Sequence, residues 1–174
     1  MFVLGIDPGV SRCGYGCVGG EGPSYRAVAA GVLTTPPSDP LPQRLAALAA
    51  DLAALLAECD PDVVVVERVF FQTNVRTAMS VGQASGLALA AAASAGLPVA
   101  QYTANEVKLA IAGYGAATKD QVQRMVQSQL SLAERPRPPD VADALGLALC
   151  HLALAPRRRR IEAQVGGATG ASTP

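Results

Sequence analysis

Four consecutive valines, Val63-Val64-Val65-Val66, stand between the turn signal Cys59-Asp60-Pro61 and the acid Glu67. β-Branched side chains prefer an extended backbone, and a run that is apolar on both faces belongs in a parallel strand covered on both sides. A chain containing such a strand has to supply helices for two faces of a sheet, which makes it α/β rather than all-β or a bundle. The chain has 174 residues, enough for one compact domain and too few for two.

The flanking pattern agrees with that architecture. Phe2-Val3-Leu4-Gly5-Ile6 is a short apolar run stopped by Asp7-Pro8-Gly9, so it reads as a buried strand. Residues 14–18 and 25–33 read as two further strands, joined through Gly19-Gly20-Glu21-Gly22-Pro23 as a hairpin and completing a meander. Leu41, Leu45, Leu48, Leu52, Leu55 and Leu56 recur at helical spacing up to Asp60-Pro61. After the valine strand, residues 76–95 form a helix rich in small side chains, 97–102 a fifth strand, and 105–112, 119–130 and about 140–155 three more helices. Strands followed by alternating helices and strands predict a mixed sheet with helices on its faces. Residues 1–156 are read as one domain and 157–174 as a basic tail, too poor in apolar surface to offset its ordering entropy and so expected to be disordered.

Fourteen Lys and Arg balance fourteen Asp and Glu. Setting aside Arg157, Arg158, Arg159, Arg160 and Glu162 leaves ten basic against thirteen acidic side chains, so the body is mildly acidic and the tail basic. Residues 86–99, the most apolar stretch, contain Ser94 and Pro98 and are shorter than the roughly 18 residues of a membrane span. The first residues lack a basic leader and meet Asp7 at once, unlike a secretory signal, which predicts a cytoplasmic protein. Cys13, Cys17, Cys59 and Cys150 form no Cys-x-x-Cys pair and read as free thiols.

Four acids carry the chemistry. Asp7 and Glu67 each end an apolar strand, and open α/β sheets bind ligands beyond the carboxyl ends of their strands. Each could equally begin a solvated loop. Asp140 and Asp143 lie three residues apart at a helix start, on one face. Acids there also favour the helix dipole and cap orphan amides, but Ala142, Ala144, Leu145, Leu147, Ala148 and Leu149 surround Asp143 with apolar neighbours, and a buried acid needs a partner. Few cations lie near these acids in sequence. If all four meet, divalent metal relieves their repulsion: oxygen donors select Mg²⁺ or Mn²⁺ over zinc, and two ions roughly 3.5–4 Å apart can clamp a phosphodiester.

The motifs Gly5-Ile6-Asp7-Pro8-Gly9 with Gly14-Tyr15-Gly16, Val65-Val66-Glu67-Arg68-Val69-Phe70, Gly82-Gln83-Ala84-Ser85-Gly86 and Asp140-Val141-Ala142-Asp143-Ala144-Leu145 resemble, in order and spacing, the RuvC family of Holliday junction resolvases, over residues 2–155. The resemblance implies a ribonuclease-H-like fold, a five-stranded mixed sheet flanked by helices, and a homodimer that cuts four-way DNA junctions by symmetric paired nicks. It implies a catalytic tetrad of Asp7, Glu67, Asp140 and Asp143 holding two Mg²⁺ or Mn²⁺ ions per active site, with Asp7 between them. It also implies a base-stacking role for Phe70, DNA phosphate contacts by Lys108 and Lys119, and a branch-migration helicase complex of RuvA and RuvB type as partner.

Arg76, beside Asn74, is a further candidate for the DNA backbone, and the four tail arginines for salt-sensitive non-specific binding. Bland alternatives stand beside these roles: a core ring for Phe71 or Phe70, solvated side chains for lone lysines and for the tail, and a structural His151. Two other functions share features with this chain. Actin-like and sugar kinase folds also open with a strand, an acid, a glycine and a hairpin, although they need two such domains; and a nuclease-like domain could grip junctions without cutting them, against which an intact acidic tetrad argues.

Overall fold

A computed structural model of the chain describes residues 1–21, 24–68 and 75–168, with side chains for all of these except 21, 75–77 and 156–168. The elements follow in the order β1 (Phe2–Asp7), β2 (Arg12–Glu21), β3 (Ser24–Thr34), α1 (Leu41–Cys59), β4 (Val63–Glu67), α2 (Val75–Ser94), β5 (Val99–Tyr102), α3 (Ala104–Ala112), α4 (Lys119–Gln129) and α5 (Pro139–Ala168). One five-stranded sheet runs β3-β2-β1-β4-β5. The meander β1-β2-β3 is antiparallel, whereas β1 and β4, and β4 and β5, pair in parallel.

The valine strand is buried along its length and divides its side chains between two cores. Val63 and Val65, with Val3, face Leu145, Leu149 and Tyr102 on the side covered by α5, α3 and α4. Val64 and Val66, with Leu4 and Ile6, face Leu48 and Leu52 of α1 and Ala84 and Ala88 of α2. Alternate residues of one strand thus supply both layers, as its two-sided apolar pattern requires.

The approach of α5 to the sheet sets the geometry of the site. A Cβ built on Gly5 would run into the carbonyl oxygen of Ala144, and one built on Gly14 into the backbone of Asp140. Only glycine lets the helix backbone come this close, and the contact seats the first turns of α5 against β1 and β2.

Two sequence expectations change. The hairpin glycines Gly19 and Gly20 lie inside the ladder, Gly20 opposite Tyr25, and pairing continues to Glu21 opposite Ser24; the remaining two turn residues lie outside the described residues. Disorder expected from Arg157 onward is replaced over 157–168 by helix, because α5 continues through Pro156 to Ala168. Extending an existing helix avoids the cost of nucleation, and Arg, Glu, Gln and Ala are good helix formers, so the run does not need a core of its own. Residues 169–174 lie outside the described residues.

Candidate active site

Parallel pairing of β1 with β4 places Ile6 opposite Val66, so Asp7 and Glu67 leave neighbouring strands at the same sheet edge. Both acids line a cleft of about 370 Å³ together with Asp143, Lys108, Lys119, Val107 and Leu147. Lys108 comes from α3 and Lys119 opens α4. Each helix begins with a capping box, Thr103 with Glu106 and Thr118 with Gln121, which fixes where the lysine-bearing turns start. The Thr-x-x-Glu and Thr-x-x-Gln spacings are readable in sequence and mark both helix starts.

The acids are strongly coupled. Burial, then the charges of Asp143, Glu67 and Asp140, push the Asp7 carboxyl up from its ordinary 3.8 to about 7. Burial likewise raises Glu67, helped by Asp143 and opposed by a hydrogen bond that the Asp7 carboxyl donates to it. Asp143 is raised by burial although the Lys119 ammonium, 2.6 Å away, draws it down. Asp140 differs: some burial pushes it up, but the hydrogen bond and charge of Arg12 outweigh this and hold it below the usual range. The Arg12 Nη2 to Asp140 Oδ2 distance is 2.8 Å.

Residues separated by more than 130 positions therefore share one electrostatic site, and Lys108 and Lys119 join it. Phe70 lies outside the described residues, as do Phe71 and Asn74; Arg76 falls in the first turn of α2, and its side chain is outside them too. Tyr102 Oη meets His151 Nδ1 at 3.0 Å and the rings pack edge to face, which places His151 in packing under the sheet rather than in the cleft. All four cysteines are free, and burial lifts the Cys13 thiol to about 11, so it stays protonated.

Sequence reasoning missed Arg12, which pairs with Asp140 from 128 residues away, and it assigned Lys119 to DNA phosphate without its pairing to Asp143. It also missed a strut behind the loop that follows Asp7. The Thr35 hydroxyl donates to the Val10 carbonyl at 2.6 Å, and Arg44 donates to Thr35 Oγ1 at 3.0 Å and to Ser11 Oγ at 2.5 Å. Thr35 is the one polar residue buried in the core among the described residues.

Among the described residues no three His, Cys, Asp or Glu side chains are already drawn into a metal shell. The donor set nevertheless suits a hard cation: four carboxylates, no sulfur or imidazole, and an Asp7 carboxyl that burial and the three neighbouring acids raise to about 7 despite Lys119. Asp7, Glu67 and Asp143 line the cleft, and Asp140, paired with Arg12, is near enough for its charge to act on Asp7.

The model of the family described as "Crossover junction endodeoxyribonuclease RuvC" matches residues 3–151. The chain belongs to the RuvC family. Relatives bearing that description include those of Moorella thermoacetica, 49% identical over 96% of this chain and 99% of that one, and of Salinispora arenicola, 52% identical over 94% of each. The structure is similar to Thermus thermophilus RuvC, with a TM-score of 0.84 and 40% identity over 91% of this chain and 97% of that one. It is equally similar to T. thermophilus RuvC in complex with Holliday junction substrate, TM-score 0.86, at 40% identity over 91% and 96% of the two chains. A yeast mitochondrial Holliday junction resolvase, at 16% identity and TM-score 0.67 over 91% and 80%, shares the fold. The expected ribonuclease-H-like, five-stranded mixed sheet is thus the fold of a RuvC family endodeoxyribonuclease. Among the described residues no helix is long and apolar enough to cross a membrane.

Proposed function

We propose that this chain resolves four-way DNA junctions by symmetric paired nicks, with Asp7, Glu67, Asp140 and Asp143 holding two Mg²⁺ or Mn²⁺ ions. The observation that supports this reading best is the Asp7 carboxyl, lifted to about 7 by burial and by the other three acids. A site that concentrates negative charge to this degree suits divalent cations and opposes DNA without them. When bound, such ions activate water and neutralise charge on the leaving oxygen of a phosphodiester.

The protein's own groups then have separate tasks. Asp7 and Glu67, fixed on adjacent parallel strands, define the floor, and Asp143 closes it from α5. Lys119 stands 2.6 Å from Asp143 and Lys108 lines the same cleft, so both ammonium groups are within the space a scissile phosphate would enter. Phe70, a few residues beyond Glu67, stacks on a base near the junction centre, and Arg76 touches the backbone there. Stacking accepts any base, which leaves recognition to junction shape and phosphate position.

Paired cuts require two sites, hence a homodimer. The outward face of α2 favours such a contact: Met79 is 60% exposed, and positions Gly82 and Gly86 have open space where a side chain would stand. A RuvA and RuvB type branch-migration complex supplies the junction, in the cytoplasm, where free thiols persist. Residues 157–174 lie beyond the nuclease domain of residues 1–156 and add salt-sensitive, non-specific affinity through their four arginines.

The test is cleavage of a synthetic four-way junction beside a linear duplex of the same arms, with Mg²⁺ or Mn²⁺ and then with chelator. Paired, metal-dependent nicks confined to the junction are expected. Retention of the junction without cleavage in either metal, or equal cutting of the duplex, would overturn the reading.

A further inference from the structure

A cluster of arginines beside the cleft has no part in the metal site. Between Lys119 and Arg137 the chain carries four cations, Lys119, Arg124, Arg135 and Arg137, against two acids, Asp120 and Glu134. This excess of positive charge lies within a body that is otherwise mildly acidic. Asp120, in the first turn of α4 next to Lys119, receives Arg124 Nη2 on Oδ2 at 2.8 Å and Arg135 Nη1 on Oδ1 at 2.5 Å. One carboxylate clamps two guanidinium groups and fixes the loop after α4 to the start of that helix.

The loop is held at other points as well. Gln127 Nε2 donates to the carbonyls of Leu132 and Ala133, and Leu132 N donates back to the Gln127 carbonyl. Val141 N donates to the Pro138 carbonyl, tying the far end into α5. Arg137 is exposed and three residues before Asp140. At no more than about 3.6 Å per residue, its Cα lies within roughly 11 Å of the Asp140 Cα. Phosphates of one strand follow each other every 3.4 Å or so along a duplex axis, so that reach covers the few phosphates next to one held at the cleft.

Guanidinium groups suit phosphate because their five N–H donors form a planar fork, and Arg135 is oriented by Asp120 before any DNA arrives. We propose that Arg135, secured beside Lys119 by the Asp120 clamp, and the exposed Arg137 two residues further on form a ledge that grips the DNA backbone of the strand running away from the cut. The ledge offsets the repulsion between DNA and the acidic cleft and sets the direction in which the strand leaves it. This inference rests on the nuclease reading above.

Equilibrium binding of a labelled synthetic four-way junction, in chelator and at 50–200 mM KCl, tests it. Each phosphate contact contributes about 0.9 to the slope of log affinity against log salt concentration. Arg137→Ala is expected to lower the slope by about 0.9 and Arg135→Ala with Arg137→Ala by about 1.8, while Arg137→Lys keeps most of the wild-type slope. Arg26→Ala, which removes an exposed arginine from the outer strand β3, is expected to leave it unchanged. An Arg137→Ala slope equal to wild type, or an equal loss in Arg26→Ala, overturns the ledge while junction cleavage by the wild type upholds the nuclease reading. A wild type that neither binds nor cuts the junction overturns both.

Discussion

Asp7 carries a proton near neutral pH, and this has a measurable effect on stability when no metal is bound. Its carboxyl rises from 3.8 to about 7 on folding. Between those values the native state therefore binds more protons than the unfolded chain, and stability falls as pH rises through the window. At 1.36 kcal/mol per pKa unit, the roughly three-unit rise amounts to a ceiling of about 4 kcal/mol at pH 8. Relaxation of the cleft and sharing of charge with Glu67 and Asp143 reduce this to about 2 kcal/mol. Asp7→Asn removes the charge, keeps the volume and retains an N–H donor for Glu67. Metal-free protein with this substitution should be more stable than wild type at pH 8 by that amount, about 4–8 °C in a chain of this size, and the gap should close towards pH 5. The assay is thermal unfolding in chelator from pH 5 to 8.5, with junction cleavage in Mg²⁺ as the companion measurement, where the same substitution should abolish cutting. A substitution that destabilises the metal-free protein at pH 8, or a wild-type stability independent of pH across this range, refutes the electrostatic reasoning.

Other consequences are equally specific. Lys119→Ala leaves Asp143 without its ammonium partner, so cleavage should fall by 10²-fold or more at saturating junction while junction binding weakens only a few-fold, as read by single-turnover kinetics. Phe70→Ala should slow cleavage at least tenfold with an unchanged thermal midpoint, consistent with loss of about 1–3 kcal/mol of base stacking; an unaltered rate excludes the stacking role. Gly5→Ala places a methyl group against the Ala144 carbonyl and should destabilise the protein by about 3 kcal/mol or more in denaturant unfolding, or shift α5 and cost activity. Arg44→Ala removes the guanidinium that holds Thr35 and Ser11 and should loosen the loop after Asp7, seen as faster amide exchange at residues 9–12.

The parts of the fold visible in the sequence are those that depend on local periodicity. The valine strand announces two covered faces, and Asp7 and Glu67 are readable because each interrupts an apolar run where a strand must end. Their convergence depends on β1 and β4 being parallel neighbours, which the meander followed by a crossover helix makes natural. The Arg12 to Asp140 pair is not readable, because it requires both the hairpin that brings the start of β2 beside β1 and the glycine contacts that seat α5 on them. The Thr35 and Arg44 strut is hidden for the same reason, since its members come from β2's approach, the end of β3 and α1. At the far end of α5, the low apolar content that argued for disorder does not prevent an already formed helix from continuing to Ala168.

The claim on which the rest depends is that four carboxylates from β1, β4 and α5 hold a pair of divalent ions. Counting bound Mn²⁺ by electron paramagnetic resonance tests it directly, on wild type and on Asp7→Asn at pH 8. Two ions per protomer in the wild type, with at least one lost in the variant, is the expected result. A wild type that binds no Mn²⁺ at millimolar concentration, or a variant that binds the same number with the same affinity, would contradict it.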